Sequence, residues 1–389
     1  METVALKRSS RILGGHPWIF SNELSISPKR FAPGSLVRAV DRQGGFLGIG
    51  YINPHSLISI RLLTSRDEPI DEGFFRARML SAVEYRKKAC GEKRLKDSLR
   101  LIFSEGDYLP GLIVDKYGDC LAVQFLTLGM EGFREIILRL LDELFNPKTM
   151  VLRNDGSSRA LEGLGLEKTV IKGDLTELPR ITEGGAVFEV NPLLGQKTGF
   201  FLDQSENRLA MKDLVKGGTG LDIFSYTGAW GIQAALNSAK ITGIDSSADA
   251  INQAIKNAGI NGVSDRCSYV KADAFAFLRE NAAGNTYDFI ILDPPAFAKS
   301  RARLKEALRA YRDINALSMR LVKKGGILAT SSCSHHVSRE AFTDALNMAA
   351  RDAGKRLRVI EARSQAKDHP ALLAVAETEY LKCFLLEVS

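Results

Sequence analysis

"GGTGLDIFSYTGAWGIQAALNSAKITGID", Gly217 to Asp245, holds one whole strand–helix–strand unit. "GGTGLDIFSY" reads as a strand running into a turn, "GAWGIQAALNSA" has the apolar spacing of a helix, and "KITGID" is a second strand closed by an acid. A strand, a helix and a strand joined by short turns build a parallel sheet, because parallel neighbours need a crossover connection. The pattern continues through the helix "SADAINQAIKNAGI", the stretch "CSYVKADAFAFLREN" and the strand "YDFIILD". A helical stretch from about Arg303 to Val322 and the strand "GGILATSS" follow. The expected fold class is therefore α/β, with a doubly wound, Rossmann-like sheet over residues 184–389. Ligands of such sheets bind beyond the carboxyl ends of the strands, near the switch in strand order.

Upstream the texture changes twice. "SLVRAV", "FLGIGYI" and "LISIRLL" are β-type runs punctuated by "DRQGG" and "NPHS", which predicts a small β-barrel or sheet within residues 1–72. "EGFFRARMLSAVEYRKKACG" then reads as a helix and opens a central α+β domain over residues 73–183. Within it, "LRLIFSEG", "GLIVDKYG" and "CLAVQFL" read as strands. The helix "MEGFREIILRLLDELF" places Phe133, Ile136, Ile137, Leu140 and Leu144 on one face.

The whole chain has 389 residues, 45% hydrophobic and 25% charged, which is room for two or three ordinary domains. No apolar run approaches the ~20 residues needed to span a bilayer, and "METVALKRSS" lacks a signal peptide's apolar stretch, so no membrane partner is expected. Cys90, Cys120, Cys267, Cys333 and Cys383 are odd in number and never spaced CxxC. That argues against a zinc ribbon or a disulfide framework and for a reducing cytoplasm. A net charge of +7 permits a polyanionic partner without requiring one.

The chemistry lies just past the strand ends. Asp222 sits in the first strand, with Gly228 and Gly231 in the turn after it. That turn is not GxGxxG, so a dinucleotide is the weaker reading. Asp245 closes the next strand, where a carboxylate can accept from both ribose hydroxyls. Asp273 ends the third, placed to receive an adenine amino group. Each acid alone could be a helix N-cap; in order, at successive strand ends, they describe a site for an adenosine-containing ligand such as S-adenosylmethionine. "ILDPPAFAKS" follows, in which two prolines fix the backbone after Asp293 and suit it to gripping a flat polar base. Amino-group methyltransferases place an aromatic residue directly after a similar Asp-Pro-Pro; here Ala296 separates Pro295 from Phe297.

"ATSSCSHHVS", Ala329 to Ser338, raises three readings for Cys333. A metal site is poorly supplied by two adjacent histidines. A packed small thiol is the ordinary alternative. The third is a nucleophile on the same sheet edge as Asp293. Carbon 5 of a pyrimidine becomes nucleophilic once a thiolate adds to carbon 6, and that chemistry needs a cysteine at a base site.

With these residues in hand, the chain resembles the RlmI-type family of S-adenosylmethionine-dependent 23S ribosomal RNA 5-methylcytosine methyltransferases. "GGHPWIFSNEL" and "FLGIGYINPHSLISIRLL" resemble its RNA-binding PUA domain, and "SEGDYLPGLIVDKYGD" the opening of its middle domain. "GQKTGFFLDQ", "FSYTGAWG", "GIDSS", "LDPPAFAKS", "SSCS" and "DHPALLAVAETEYLK" resemble its catalytic domain. The resemblance implies a class I methyltransferase fold whose cofactor site is lined by Phe224, Ser225, Tyr226, Thr227, Gly228, Asp245, Ser246, Asp273, Ala274 and Asp293. Lys197, Thr198 and Asp203 would lie on a segment capping it. Cys333 and Asp293 would be catalytic, and Pro294, Pro295 and Phe297 would meet the base, with no metal. Many RNA 5-methylcytosine enzymes carry a second cysteine after the Pro-Pro; Ala296 stands there, as in the RlmI-type pattern. The acceptor of the carbon-5 proton is left open among Asp203, Asp293 and water.

The implied partner is 23S ribosomal RNA presenting a single-stranded or flipped-out cytosine, and a homodimer is compatible with the sequence. Basic residues cluster at Lys7, Arg8, Arg11, Lys29 and Arg30, and again in "KSRARLKEALRAYR", where Lys299, Arg301, Arg303, Lys305, Arg309 and Arg312 form either a solvated helix face or an RNA-facing wall. Two other readings stand beside this one: a uracil-5 methyltransferase using the same thiol addition, and a non-catalytic RNA-binding protein on a methyltransferase fold.

Overall fold

The computed structural model describes residues 1–281, 287–298 and 300–389, and the chain divides into two units. One comprises Met1–Ile181, Val190–Leu202 and Lys367–Thr378; the other comprises Thr182–Glu189, Asp203–Ala366 and Glu379–Ser389.

In the first unit, β1 (Glu2–Ala5), β2 (Trp18–Phe20), β3 (Leu36–Val40), β4 (Phe46–Ile52) and β5 (Ile58–Thr64) form a sheet ordered β1-β3-β4-β5-β2. Alternation along β3 turns Val37 and Ala39 into a core shared with Val4, Ile19 and Ile60. β4 crosses β5 closely only because Gly50 lacks a side chain: a Cβ there would lie 2.2 Å from the Arg61 carbonyl oxygen. A second sheet, ordered β10-β9-β8-β7-β6, joins β6 (Ser98–Phe103), β7 (Leu112–Tyr117), β8 (Cys120–Phe125), β9 (Thr149–Asn154) and β10 (Glu167–Lys172). β8 and β9 are parallel, and the helix Arg134–Phe145 makes their crossover. It buries Ile137, Leu140 and Leu141, whereas Phe133 stands at its N-cap and Ile136 and Leu144 lie at the edge of the core.

The segment Lys367–Thr378 is tied into this unit by buried charge. Arg86 is fully buried; its Nη1 pairs with Asp107 and its Nη2 donates to the Asp368 carbonyl at 2.8 Å. The Asp368 carboxylate accepts from the Arg100 backbone amide at 3.0 Å and from Arg94 at 3.2 Å. Burial alone would raise the Asp368 carboxyl, but His369 and Arg94 outweigh it and hold it down at about 2.

The second unit opens with the hairpin of β11 (Arg180–Glu183) and β12 (Ala186–Glu189), the chain passing into it within β11. Its main sheet contains β13 (Thr219–Ile223), β14 (Lys240–Asp245), β15 (Cys267–Lys271), β16 (Tyr287–Leu292), β17 (Val322–Ser332), β18 (Leu357–Arg363) and β19 (Lys382–Val388). The order β15-β14-β13-β16-β17-β19-β18 puts the switch point between β13 and β16. The helices Ala229–Leu236, Ala248–Ile260, Ala274–Glu280, Leu304–Leu321 and Arg339–Ala353 supply the crossovers expected of a doubly wound sheet. One strand departs from the all-parallel expectation: β19 runs antiparallel to both β17 and β18. The chain between β18 and β19 has a 3₁₀ turn but no crossover helix, so the return strand enters from the opposite end. No described helix is long and apolar enough to cross a membrane.

Candidate active site

The turn after β13 is held in a costly conformation. Phe224 and Tyr226 adopt left-handed backbone, φ 62° and 47°, and Gly228 follows at 81°. Non-glycine residues pay about 1–3 kcal/mol each for such geometry, which persists only where the surroundings impose it. Here the Ser225 amide donates to the Ile244 carbonyl at 3.0 Å, and the Tyr226 amide to Asp245 Oδ2 at 2.9 Å. Asn257 holds the Thr227 carbonyl at 3.1 Å. Beneath the turn, Asp222 Oδ2 accepts the Gly231 amide at 2.9 Å. Burial pushes the Asp222 carboxyl up to about 7, helped by the nearby charges of Asp293 and Asp245. Asp222 Oδ1, Ser225 Oγ and Thr227 Oγ1 are buried without a hydrogen-bond partner. Three orphaned polar atoms around one strained turn fit a polar ligand rather than a packed core.

Asp245 and Asp273 are oriented differently. The Asp245 oxygens each take one backbone amide, from Tyr226 and from Ser247, both at 2.9 Å, which aims the carboxylate and leaves acceptor capacity on each oxygen. Ser246 beside it is exposed. Asp273 caps the helix Ala274–Glu280, Oδ1 accepting the Ala276 amide at 2.9 Å, with the buried Ala274 following it. The ordinary N-cap alternative is thus realised at Asp273, with its second oxygen not used by the cap.

Asp293, just past β16, is gripped from both sides. Its Oδ1 accepts from Gln204 Nε2 at 2.8 Å and its Oδ2 from Trp230 Nε1 at 3.2 Å. Gln204 is itself aligned by Asn207, which donates to Gln204 Oε1 at 2.7 Å. Sequence reasoning quoted the segments holding Gln204 and Trp230 but assigned neither residue a role. Pro294 is buried and Pro295 exposed. The half-buried Phe297 ring packs against Tyr311 at 4.7 Å and Phe275 at 6.3 Å, at the edge of the apolar core. Cys333, half-buried just after β17, places Sγ 3.9 Å from the Pro294 carbonyl oxygen. The thiol and the Asp-Pro-Pro turn, remote in sequence, are therefore neighbours. Among the described residues, no cluster of three His, Cys, Asp or Glu side chains is placed to hold a metal ion.

The residues expected on the capping segment are assigned to different units. Asp203 is buried in the second unit, and its Oδ2 accepts the Tyr380 hydroxyl at 2.6 Å. Lys197 and Thr198 belong to the first unit. Thr198 is fully buried there, donating to Asp115 Oδ2 at 2.5 Å and bonded to the Tyr117 hydroxyl at 2.9 Å. Lys197 sets its Nζ 4.5 Å from the Phe201 ring centroid.

Two basic surfaces are present. Lys7, Arg8, Arg11 and Arg42 surround a cavity of about 470 Å³, joined by Phe20, Asn22 and one acid, Glu23. Arg11 lies over the Phe20 ring and bonds His16 at 2.8 Å, while Glu23 Oε2 accepts the Phe20 amide. On the other surface Arg312 is committed to a two-bond pair with Asp352, whereas Arg301, Arg303, Lys305 and Arg309 are exposed. Lys299 lies outside the described residues.

A PUA-like domain family matches residues 3–65, and a methyltransferase domain family matches residues 214–372. Over 379 residues the chain is 38% identical to a protein of Shewanella denitrificans named ribosomal RNA large subunit methyltransferase I, spanning 96% of this chain and 95% of that one. A solved structure from Streptococcus mutans, described as a SAM-dependent methyltransferase, aligns over 100% of both chains with a TM-score of 0.84 at 19% identity. Another, described as a methyltransferase complexed with SAH, aligns over 99% of both with a TM-score of 0.83 at 19% identity. At that identity the two structures speak for the fold.

Proposed function

The chain belongs to the ribosomal RNA large subunit methyltransferase I family, and from that premise we propose that it methylates carbon 5 of a cytosine in 23S ribosomal RNA, with Cys333 as covalent nucleophile. The observation that carries this reading is the 3.9 Å approach of Cys333 Sγ to the carbonyl of the Asp-Pro-Pro turn. A thiol that served only as packing has no need of a rigid polar turn beside it.

The turn Phe224–Gly228 and Asp245 fit S-adenosylmethionine. Its orphaned hydroxyls and the spare acceptor capacity of Asp245 match a ligand rich in hydroxyl and amino groups. When bound, the cofactor supplies an electrophilic methyl group on a sulfonium. This chain's own residues prepare the acceptor. The Cys333 thiolate adds to carbon 6 of the base, which moves an electron pair toward carbon 5. Asp293, held by Gln204 and Trp230, is fixed where it can accept from the base edge. After methylation carbon 5 must lose a proton before the thiolate is expelled. The acceptor of that proton stays open among Asp203, one of whose oxygens receives Tyr380, Asp293, whose two oxygens receive Gln204 and Trp230, and water.

A base stacked in a duplex cannot present carbon 6, so the target is single-stranded or flipped out. The PUA-like sheet, with its cavity of four basic side chains, supplies phosphate contacts and takes no part in the chemistry. Mass analysis of nucleosides from ribosomal RNA, with and without the gene, tests the assignment: loss of one 5-methylcytidine is expected. Loss of a 5-methyluridine would transfer the reading to uracil. An unchanged nucleoside profile in a chain that still binds RNA would favour the non-catalytic alternative.

A further inference from the structure

β19 begins at Lys382, whose register partner on β17 is Ser332, the residue before the thiol. The Lys382 side chain is buried, 4% exposed. Its Nζ donates to the Ser334 carbonyl at 2.7 Å and to the Tyr380 carbonyl at 2.8 Å. Both acceptors are neutral, and among the described residues Lys382 has no carboxylate partner. Lysine is almost never buried without a counter-charge, so this one asks for a function.

The charges that face it narrow the choice. Arg339 and Glu379 are near, but they pair with each other at 3.0 Å and largely cancel. Tyr311, beneath the same loop with its hydroxyl 3.0 Å from Ser334 Oγ, has its phenol pushed up by burial and stays neutral. Tyr380 carries the stacked ring of His335 at 5.1 Å, and its hydroxyl donates to Asp203. Among the described residues, the remaining ionisable group that acts on the ammonium is Cys333, which lies between Ser332, the register partner of Lys382, and Ser334, its hydrogen-bond acceptor.

We propose that Lys382 is a positioning residue that keeps Cys333 as the thiolate, its ammonium anchored by the Ser334 carbonyl one residue beyond the sulfur. The thiol proton leaves to solvent, the ammonium keeps its own, and no bond to sulfur forms. Burial draws the Lys382 ammonium down from 10.5 to about 8, so it is still charged at neutral pH. A cation beside a half-buried thiol lowers the pH at which the thiolate forms, where apolar burial would raise it. The inference rests on the reading of Cys333 as nucleophile but is measured separately from it.

The full chain and its Lys382→Met, Lys382→Gln and Lys382→Arg variants are alkylated with iodoacetamide from about pH 6 to about pH 10. Labelling of Cys333 is followed by peptide mass spectrometry, with Cys90 in the same digest as reference. Lys382→Met keeps the bulk without the charge, and Lys382→Gln also keeps an N–H for the Ser334 carbonyl. Either should slow Cys333 labelling at pH 7 about tenfold and shift its midpoint upward by about one unit, while Lys382→Arg stays near the wild type. A neutral variant with normal Cys90 labelling whose Cys333 profile superimposes on the wild type overturns the proposal. A Cys333→Ala protein that still methylates would sink the nucleophile reading instead and leave the thiolate measurement standing.

Discussion

Replacing Asp245 by alanine separates the ligand's share of this site from the fold's. The carboxylate orders two backbone amides, those of Tyr226 and Ser247, and each oxygen keeps a lone pair for a ribose hydroxyl. A hydrogen bond to a charged acceptor contributes about 1.5–3 kcal/mol. Losing one to two of them should raise the dissociation constant for S-adenosylmethionine between about tenfold and about ten-thousandfold, at 1.4 kcal/mol per decade. The free protein should weaken as well. The Tyr226 amide loses its acceptor in a left-handed turn, which costs about 1–3 kcal/mol as an unmet donor. Asp245→Asn should fall between, because one amide oxygen can serve either N–H but the new NH₂ opposes the other. Calorimetric titration gives the affinity and thermal unfolding without ligand gives the stability. Unchanged affinity in a destabilised protein would refute the ribose assignment and reduce Asp245 to a turn brace.

Cys333→Ala should abolish methyl transfer with cofactor affinity kept within a few-fold, and RNA bearing 5-fluorocytidine at the target should form a denaturant-resistant adduct with the wild type alone. Because burial lifts Asp222 from 3.8 to about 7, the folded state holds a proton that the unfolded chain has released across that window. Stability should therefore fall as pH rises from about 4 to about 7, by up to about 4 kcal/mol at 1.36 per unit, and then level off. Urea unfolding of Asp222→Asn from about pH 5 to pH 8 should show that slope flattened; an unchanged slope would place its origin elsewhere. Arg8→Glu with Arg42→Glu should weaken ribosomal RNA binding and flatten its salt dependence while leaving cofactor titration untouched; an unaltered salt slope would move the RNA contact to the exposed face from Arg301 to Arg309.

What could be read in the sequence followed from chain-local physics. Asp222, Asp245, Asp273 and Asp293 each stand in or just past a short apolar run, so strand periodicity alone delivered them to one sheet edge. Phe297 shows the limit of a spacing argument, since spacing does not reveal that its half-buried ring also packs on Tyr311 and Phe275. Gln204 and Trp230 escaped notice because their meaning lies in Asp293, which each meets only after folding. The strand β19 was not read from the sequence, and an apolar run such as "CFLLEV" carries no mark of its direction. Thr198 sits in a motif that invites a ligand role, yet its hydroxyl is spent on Asp115 and Tyr117, a pairing that no local pattern encodes.

The division of the chain has a consequence for how the protein is made. Asp368, translated long after them, completes the environment of Arg86, Arg94 and Arg100. Lys382 to Val388, later still, form the strand that joins β17 to β18. A ribosome elongating at roughly 5–20 residues per second therefore carries a nascent chain in which neither unit can close, even though most of both has emerged. Arg86 must wait, solvated, for its carbonyl partner, and the strand end bearing Cys333 lacks its neighbour until β19 has emerged. A truncated product would hold every acid of the site and the thiol itself, and would still be inert.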